Sequence, residues 1–228
     1  MKAGSWCPPR ERRSKSVRFD CANPQEHAAG LREAVAAVRR GELVVLPTDT
    51  VYGVGADAFT PQAVARLLAA KGRGRNMPSP VLVGSAADLD ALADDIPAVA
   101  RELVAAFWPG GLTLVLRHKP SISWDLGETG GTVAVRMPDH PVAVELLTAT
   151  GPLAVSSANL TGEASPQDCD AAQGMLAGAV AVYLDGGPTP AAVPSSIVDV
   201  TGEVPVLVRA GAIGAARLRE VAPGLRER

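Results

Sequence analysis

Sulfur, imidazole and aromatic rings are all scarce in this chain, which holds three cysteines, three histidines and 4% Phe, Trp and Tyr among 228 residues. Cys7, Cys21 and Cys169 are odd in number, widely spaced and free of any C-x-x-C pair, so they suggest neither a disulfide framework nor a zinc site. His27, His118 and His140 stand apart from the cysteines and from acidic clusters, so no metal site built from side chains is expected. The same scatter argues against a Ser/His/Asp or Cys/His nucleophile, leaving positioning and charge neutralisation as the available chemistry. No stretch approaches the ~18 apolar residues of a membrane span, and the N-terminus lacks the apolar region of a signal peptide. The expectation is a cytoplasmic protein with no membrane partner. An excess of one charge is missing too. With 22 Lys and Arg against 24 Asp and Glu, the net charge is −2, and the pI of about 5.9 argues against a surface that binds nucleic acid by bulk electrostatics. Any phosphate chemistry must be local.

Apolar residues make up 47% of the chain, enough for a sizeable core at this length, and one domain is expected. Residues 1–19 combine Pro8 and Pro9 with Lys2, Arg10, Arg12, Arg13, Lys15 and Arg18 and show little hydrophobic periodicity. They read as a flexible basic tail ahead of a catalytic domain over 20–228. Asn23, Pro24 and Glu26 form a helix start, followed by Leu31, Ala34, Val35 and Val38 at helical spacing up to Gly41. A short strand is expected over 43–47, a helix from Thr60 and Pro61 with Lys71 in its last turn and Gly72 as its stop, and a strand over 80–84. Helices follow from about 86 and 97, strands over 112–117 and 132–137, a helix over 140–149 capped by Asp139, and a strand over 153–155. Strands over 179–184, 196–200 and 204–209 complete the reading. A turn at Thr201-Gly202-Glu203 joins the last two, and Pro205 marks an edge. The interleaving implies an α/β fold with a mixed sheet.

Four segments carry the candidate chemistry. Gly53-Val54-Gly55-Ala56-Asp57-Ala58 matches G-x-G-x-x-A in form, but the helix waits until Thr60 and the sequence beyond is cationic rather than acidic, so a dinucleotide site is not expected. No Walker loop exists either, so a bound triphosphate would need another holder. Lys71, Arg73 and Arg75 alternate in a Gly-containing loop and can converge on phosphate oxygens; equally, Lys71 can complement a helix dipole while the arginines are solvated. Ser156, Ser157 and Asn159 lie at a strand's carboxyl end, where ligands bind in open α/β sheets, or form only a turn. Period-two alternation sends Thr132 and Arg136 to one face of their strand, with Asp139 or Asp199 as a structural alternative partner for the arginine. Thr48, Asp49, Thr50 and Tyr52 follow a strand ended by Pro47 and can face the same crevice. Ser195, Ser196 and Arg209 are further candidates.

LPTDTVYGVGADAF at 46–59, AAKGRGRNMPSPVLVG at 69–84, TVAVRMPDHP at 132–141 and SSAN at 156–159 together resemble the YrdC-like family of threonylcarbamoyl-AMP synthases, over roughly residues 28–210. The resemblance implies one twisted mixed β-sheet flanked by helices around a broad cleft. It also implies conversion of L-threonine, bicarbonate and ATP, with Mg²⁺, to threonylcarbamoyl-AMP and pyrophosphate for modification of position 37 of tRNA. Lys71-Gly72-Arg73 resembles the family's K-x-R motif and Ser157-Ala158-Asn159 its S-x-N motif. By this resemblance Lys71 and Arg73 are catalytic. Lys71, Arg73, Arg75, Thr132, Ser157, Asn159 and Arg209 hold ATP, and Thr48, Arg136 and Ser196 hold threonine. Where the family usually has S-T-I, this chain has Ser195-Ser196-Ile197, which keeps a hydroxyl. Partners beyond the substrates would be tRNA or the downstream threonylcarbamoyl transfer enzymes. Two other readings compete: an RNA-binding module of the same fold, and a carbamoyl-handling relative, against which the missing transferase or acylphosphatase-like domain counts.

Overall fold

The computed structural model describes residues 16–190 and 192–228. In chain order its elements are β1 (Val17–Asp20), α1 (Pro24–Arg39), β2 (Val44–Leu46), β3 (Gly53–Asp57), α2 (Pro61–Ala70), β4 (Val81–Leu82), α3 (Asp88–Leu92) and α4 (Ala98–Phe107). There follow β5 (Leu112–Arg117), β6 (Thr132–Arg136), α5 (Pro141–Thr150), β7 (Leu153–Ser157), α6 (Cys169–Leu176), β8 (Val182–Asp185), β9 (Ser196–Asp199), β10 (Val206–Arg209), α7 (Ala215–Val221) and β11 (Arg226–Glu227). The strands form one mixed sheet in the order β1-β8-β2-β3-β7-β4-β6-β5-β9-β10-β11. Among the described residues no helix is long and apolar enough to cross a membrane.

Period-two alternation divides the sheet into two faces. Val45 and Val54 join a core shared with Val64, Leu67 and Leu103 from α2 and α4, together with Leu112, Leu114, Val133 and Val135. The neighbouring Val44 and Leu46 point the other way, into a core shared with Ala34 and Val38 of α1 and Leu146 of α5. On this second face the helices lie over the β8–β2 side, where α1 packs against β8 and α5. Thr113, Arg136 and Ile197, from β5, β6 and β9, instead line an open cavity together with Leu82 and Val155. That uncovered half of the face is where a ligand can lie.

The expected helix starting at Asn23 is present. The Asn23 carboxamide accepts from the amides of Gln25 and Glu26 at 3.0 and 3.4 Å. Glu26, however, does not reach back to its own cap. Its carboxylate accepts from the amide of Asp20 at 3.0 Å and so ties the helix to β1. This corrects the domain reading, because the boundary at 19 falls inside a strand: Val17–Asp20 pairs in parallel with Val182–Asp185. Arg18 ion-pairs with Asp170 and Asp185, so a residue assigned to a basic tail is neutralised within the fold. The rest of the expected tail, residues 1–15, lies outside the described residues.

GVGAD over 53–57 is a strand, antiparallel to both β2 and β7, and so not a phosphate loop. A Cβ at Gly53 would sit 2.7 Å from a Val155 methyl, so this glycine permits close packing against β7. Two shorter helices, α6 and α7, follow weak hydrophobic patterns and were not expected. The cap of α5 is His140 and not Asp139, and its side chain makes no capping bond. The amide of Asp139 donates instead to Asp49 at 3.0 Å. β10 is not an edge, because the two residues of β11 pair alongside it, and Pro205 offers its carbonyl to Arg226.

Candidate active site

The cavity on the uncovered half of the sheet measures about 280 Å³ and is lined by Thr48, Thr50, Arg73, Thr113, Arg136, Ser156, Ser157, Ser165, Ser195 and Arg209 among others. Three guanidinium groups from separate segments therefore converge on one cleft. Each is held in place by neighbouring oxygens.

Pro47 ends β2, and Thr48 folds the following turn onto itself. Its hydroxyl accepts from the amides of Thr50 and Val51, both at 3.2 Å, and lies 2.6 Å from the Val51 carbonyl, to which it can donate. The turn is buried, with Thr48 and Thr50 at 3% and 2% exposure. Against it rests Arg136, from the end of β6. The guanidinium donates from Nε to the Gly110 carbonyl at 2.9 Å, from Nη1 to Thr50 Oγ1 at 2.9 Å, and from Nη2 to Asp49. The arginine does have a carboxylate partner, but it is Asp49 and neither Asp139 nor Asp199. Burial pushes the Arg136 pKa down, and the charge and hydrogen bond of Asp49 pull it back.

Arg209 ends β10 and grips the backbone of Ser195. Its Nε and Nη2 donate to the Ser195 carbonyl at 3.0 and 2.8 Å, and Nη2 also reaches Ser195 Oγ at 3.0 Å. That hydroxyl meets Thr113 Oγ1 at 2.8 Å. Burial, then the nearby charge of Arg136, lower the Arg209 pKa. Arg73 donates from Nη1 to Ser156 Oγ at 3.1 Å, while its buried Nε has no hydrogen-bond partner among the described residues. Burial lowers its pKa as well. An orphaned buried donor beside two further cations is the environment an anionic ligand would complete.

Several expected ligands sit elsewhere. Ser196 is wholly buried and its hydroxyl donates to the Ile213 carbonyl at 2.7 Å. Alternation through β9 places Ser195 and Ile197 on the cleft face and turns Ser196 away, so Ser195 is the hydroxyl that lines the cavity. Arg75 points outward and forms an ion pair with Asp125 at 2.7 Å, its side chain 57% exposed. Asn159 is buried outside the cavity lining and braces its own loop, donating to the carbonyls of Leu160 and Glu163 at 2.9 and 2.7 Å. Lys71 is 1% exposed and also lies outside the cavity lining. Thr132 shares the open sheet face with Arg136 but at the far end of β6. There it donates to the Thr129 carbonyl at 2.7 Å and lines an adjoining hollow of about 140 Å³ with Pro78, Val115 and Ala134. Pro78 lines both spaces, so this hollow neighbours the cleft.

Thr113 and Ser165 were missed. Thr113 had a signal, a hydroxyl alternating with Leu112 and Leu114 and therefore facing away from their core; Ser165, in an irregular loop, had none.

A family profile, Sua5/YciO/YrdC, described as telomere recombination, matches residues 36–211. A Mycobacterium leprae protein named "Putative threonylcarbamoyl-AMP synthase" is 55% identical over 203 residues, covering 89% of this chain and 92% of that protein. The threonylcarbamoyl-AMP synthase of Bacillus subtilis is 40% identical over 185 residues, covering 80% of this chain but only 54% of its own longer one. Among solved structures, that of P. abyssi Sua5 complexed with L-threonine superposes with a TM-score of 0.87 at 34% identity, over 93% of this chain and 63% of that one. E. coli YciO gives 0.78 at 26% identity, over 90% and 98%. With the sheet, the cleft and these similarities agreeing over most of its length, the chain belongs to the Sua5/YciO/YrdC family.

Proposed function

We propose that this chain is an L-threonylcarbamoyladenylate synthase, joining L-threonine, bicarbonate and ATP into threonylcarbamoyl-AMP with release of pyrophosphate. The observation that carries the reading is the convergence of Arg73, Arg136 and Arg209 on one cavity whose nearest acid, Asp49, is already spent on Arg136. Such a site favours anions, and all three substrates carry anionic groups. Family membership and the threonine complex of the P. abyssi protein support threonine as the amino acid.

The threonine amine and bicarbonate form a carbamate with loss of water. A carbamate oxygen then attacks the α-phosphorus, the bond from that phosphorus to the bridging oxygen breaks, and pyrophosphate leaves with the electron pair. This chemistry requires in-line positioning and neutralisation of growing charge on the leaving group, not a protein nucleophile. Arg73, with its free Nε, and Arg209 are placed to meet phosphate oxygens, and Ser157 at the end of β7 to orient them. Thr48 and Arg136 line the same cleft, where a carboxylate or carbamate would complete the arginine's donors. The neighbouring hollow at Thr132 is the space toward which the remainder of the nucleotide would extend.

Magnesium would enter with ATP. Among the described residues no group of three or more His, Cys, Asp or Glu side chains could hold a metal ion, and Asp49 is engaged by Arg136. No step above passes through the ion. The product is the activated donor for threonylcarbamoylation of adenosine 37 in tRNA, so a transfer enzyme must consume it.

The test is product mass and bicarbonate dependence. Pyrophosphate release should need threonine and bicarbonate together, and labelled bicarbonate should place its carbon in an adenylate with the combined mass of threonine, carbonyl and AMP. Threonine-dependent release that persists undiminished in bicarbonate-depleted buffer would defeat the reading, since an ordinary amino acid adenylation needs no carbon dioxide source.

A further inference from the structure

Lys71 has the sequence position of a phosphate ligand and the geometry of something else. Its ammonium donates to the Ser157 carbonyl, to the Asn159 carbonyl at 2.7 Å and, more distantly, toward Asn159 Oδ1 at 3.5 Å. An ammonium has three N–H groups, and all three have acceptors in one short segment. At 1% exposure Lys71 is buried, and it lies outside the cavity lining. Its backbone joins the same segment, because the Lys71 carbonyl accepts from the Thr161 amide at 3.0 Å. The segment is pinned from its other side as well, the amide of Ala158 donating to the Tyr52 carbonyl at 2.8 Å.

We infer that Lys71 is a positioning residue: a buried cation that clamps the carbonyls of Ser157 and Asn159, and so holds the Ser157 hydroxyl and Arg73 at the cleft wall, without itself touching phosphate. The inference rests on the proposed use of this cleft for phosphates. It reassigns the charge that meets the leaving group from Lys71 to the arginines. Two residues beyond Lys71, Arg73 leaves the same helix end through Gly72, whose φ of 61° suits glycine, and reaches Ser156 on the clamped strand. Side chains one turn apart in role thus fasten one strand end from two directions, the lysine by carbonyls and the arginine by a hydroxyl. The location also fits the electrostatics, for burial, then the Arg73 charge, push the lysine down to about 8. A second cation aimed at the cleft from so close would compete with Arg73, whereas one turned into a nest of carbonyls offsets its own burial.

The experiment uses the full chain with inorganic pyrophosphate as probe. In Lys71→Met, which keeps the side-chain length without the charge, amide exchange at 157–161 of the ligand-free protein should accelerate by about tenfold or more, because the clamp's charge-assisted bonds are gone. Pyrophosphate affinity should fall together with it, and exchange in α1 and α5 should not change. Weakened pyrophosphate binding with unaltered exchange at 157–161 would make Lys71 a direct ligand and overturn the inference; accelerated exchange with normal pyrophosphate affinity would reduce it to a structural lysine. If the methionine variant does not fold, a crystal structure of the wild-type protein with pyrophosphate decides. The clamp requires Nζ still bonded to both carbonyls, and a phosphate oxygen within hydrogen-bond distance of Nζ refutes it. Neither measurement depends on adenylate formation, so failure of the synthase reading and failure of the clamp are separately visible.

Discussion

Asp49 and Arg75 show at single residues how an ion pair's setting determines its consequence. Both belong to charge pairs with good geometry, but the side chains of Arg136 and Asp49 are 7% and 18% exposed where those of Arg75 and Asp125 are 57% and 42%. Asp49→Ala would leave Arg136 buried and without its counter-charge, which costs about 3–5 kcal/mol when a buried pair loses one member. Urea unfolding should show that loss, and the KM for threonine should rise as the guanidinium drifts from the cleft wall. Arg75→Ala should leave melting temperature and turnover at wild-type values, because its pair is solvent-screened and points away from the cavity. A collapse of turnover in Arg75→Ala would return it to the phosphate site. The motifs pointed to the cationic and hydroxyl-bearing segments but could not sort their members. Lys71, Arg73 and Arg75 are equivalent in the sequence, and only the turn at Gly72 and the packing of Asp125 send one into carbonyls, one into the cleft and one into water.

At the scale of elements, the strands most legible in the sequence were those with clean alternation. β5 begins and ends where the pattern Leu112-Thr113-Leu114-Val115-Leu116 places it, and the same period foretold that Thr132 and Arg136 share a face. β1 and β3 were not legible, for different physical reasons. Three of the five residues of β3 are glycine or alanine, and at Gly53 and Gly55 its neighbours come too close for larger side chains. β1 is an edge strand whose VRFD reads as part of a charged tail until Arg18 finds Asp170 and Asp185. Gly30, in the middle of α1, is the trace β1 leaves in the helix it packs on. A Cβ there would lie 2.7 Å from the Phe19 Cβ and 3.0 Å from a Leu184 methyl. Gly30→Ala should therefore destabilise the protein by about 1–3 kcal/mol through overpacking, against the ~1 kcal/mol that alanine normally gains over glycine within a helix. Chemical denaturation should show the net loss, and it should shrink in a Phe19→Gly background. A stabilised Gly30→Ala variant would mean that β1 does not dock on α1 in solution.

For the molecule as a whole, the decisive fact is that helices cover only part of one sheet face. Which part stays open follows from the strand order and from where α1 and α5 pack, and no local pattern reports either. The consequence is that positive charge is recessed in a protein whose net charge is −2. Arg136, at 6% exposure, is available to a small anion entering the cavity and out of reach of the backbone of an RNA helix. This separates the synthase from an RNA-binding module of the same fold by salt dependence. A surface that tracks six to ten phosphates loses about 10³–10⁵ in affinity between 50 and 200 mM salt. Charges sunk in a cleft are screened far less than exposed ones, so calorimetric pyrophosphate affinity should fall by less than about tenfold over the same range. Unmodified tRNA should give no gel shift at 150 mM salt. Tight tRNA binding at low salt that collapses steeply by 200 mM, with no measurable pyrophosphate affinity at either concentration, would move the function from the cleft to the surface, and the three arginines would then have to be explained as structural.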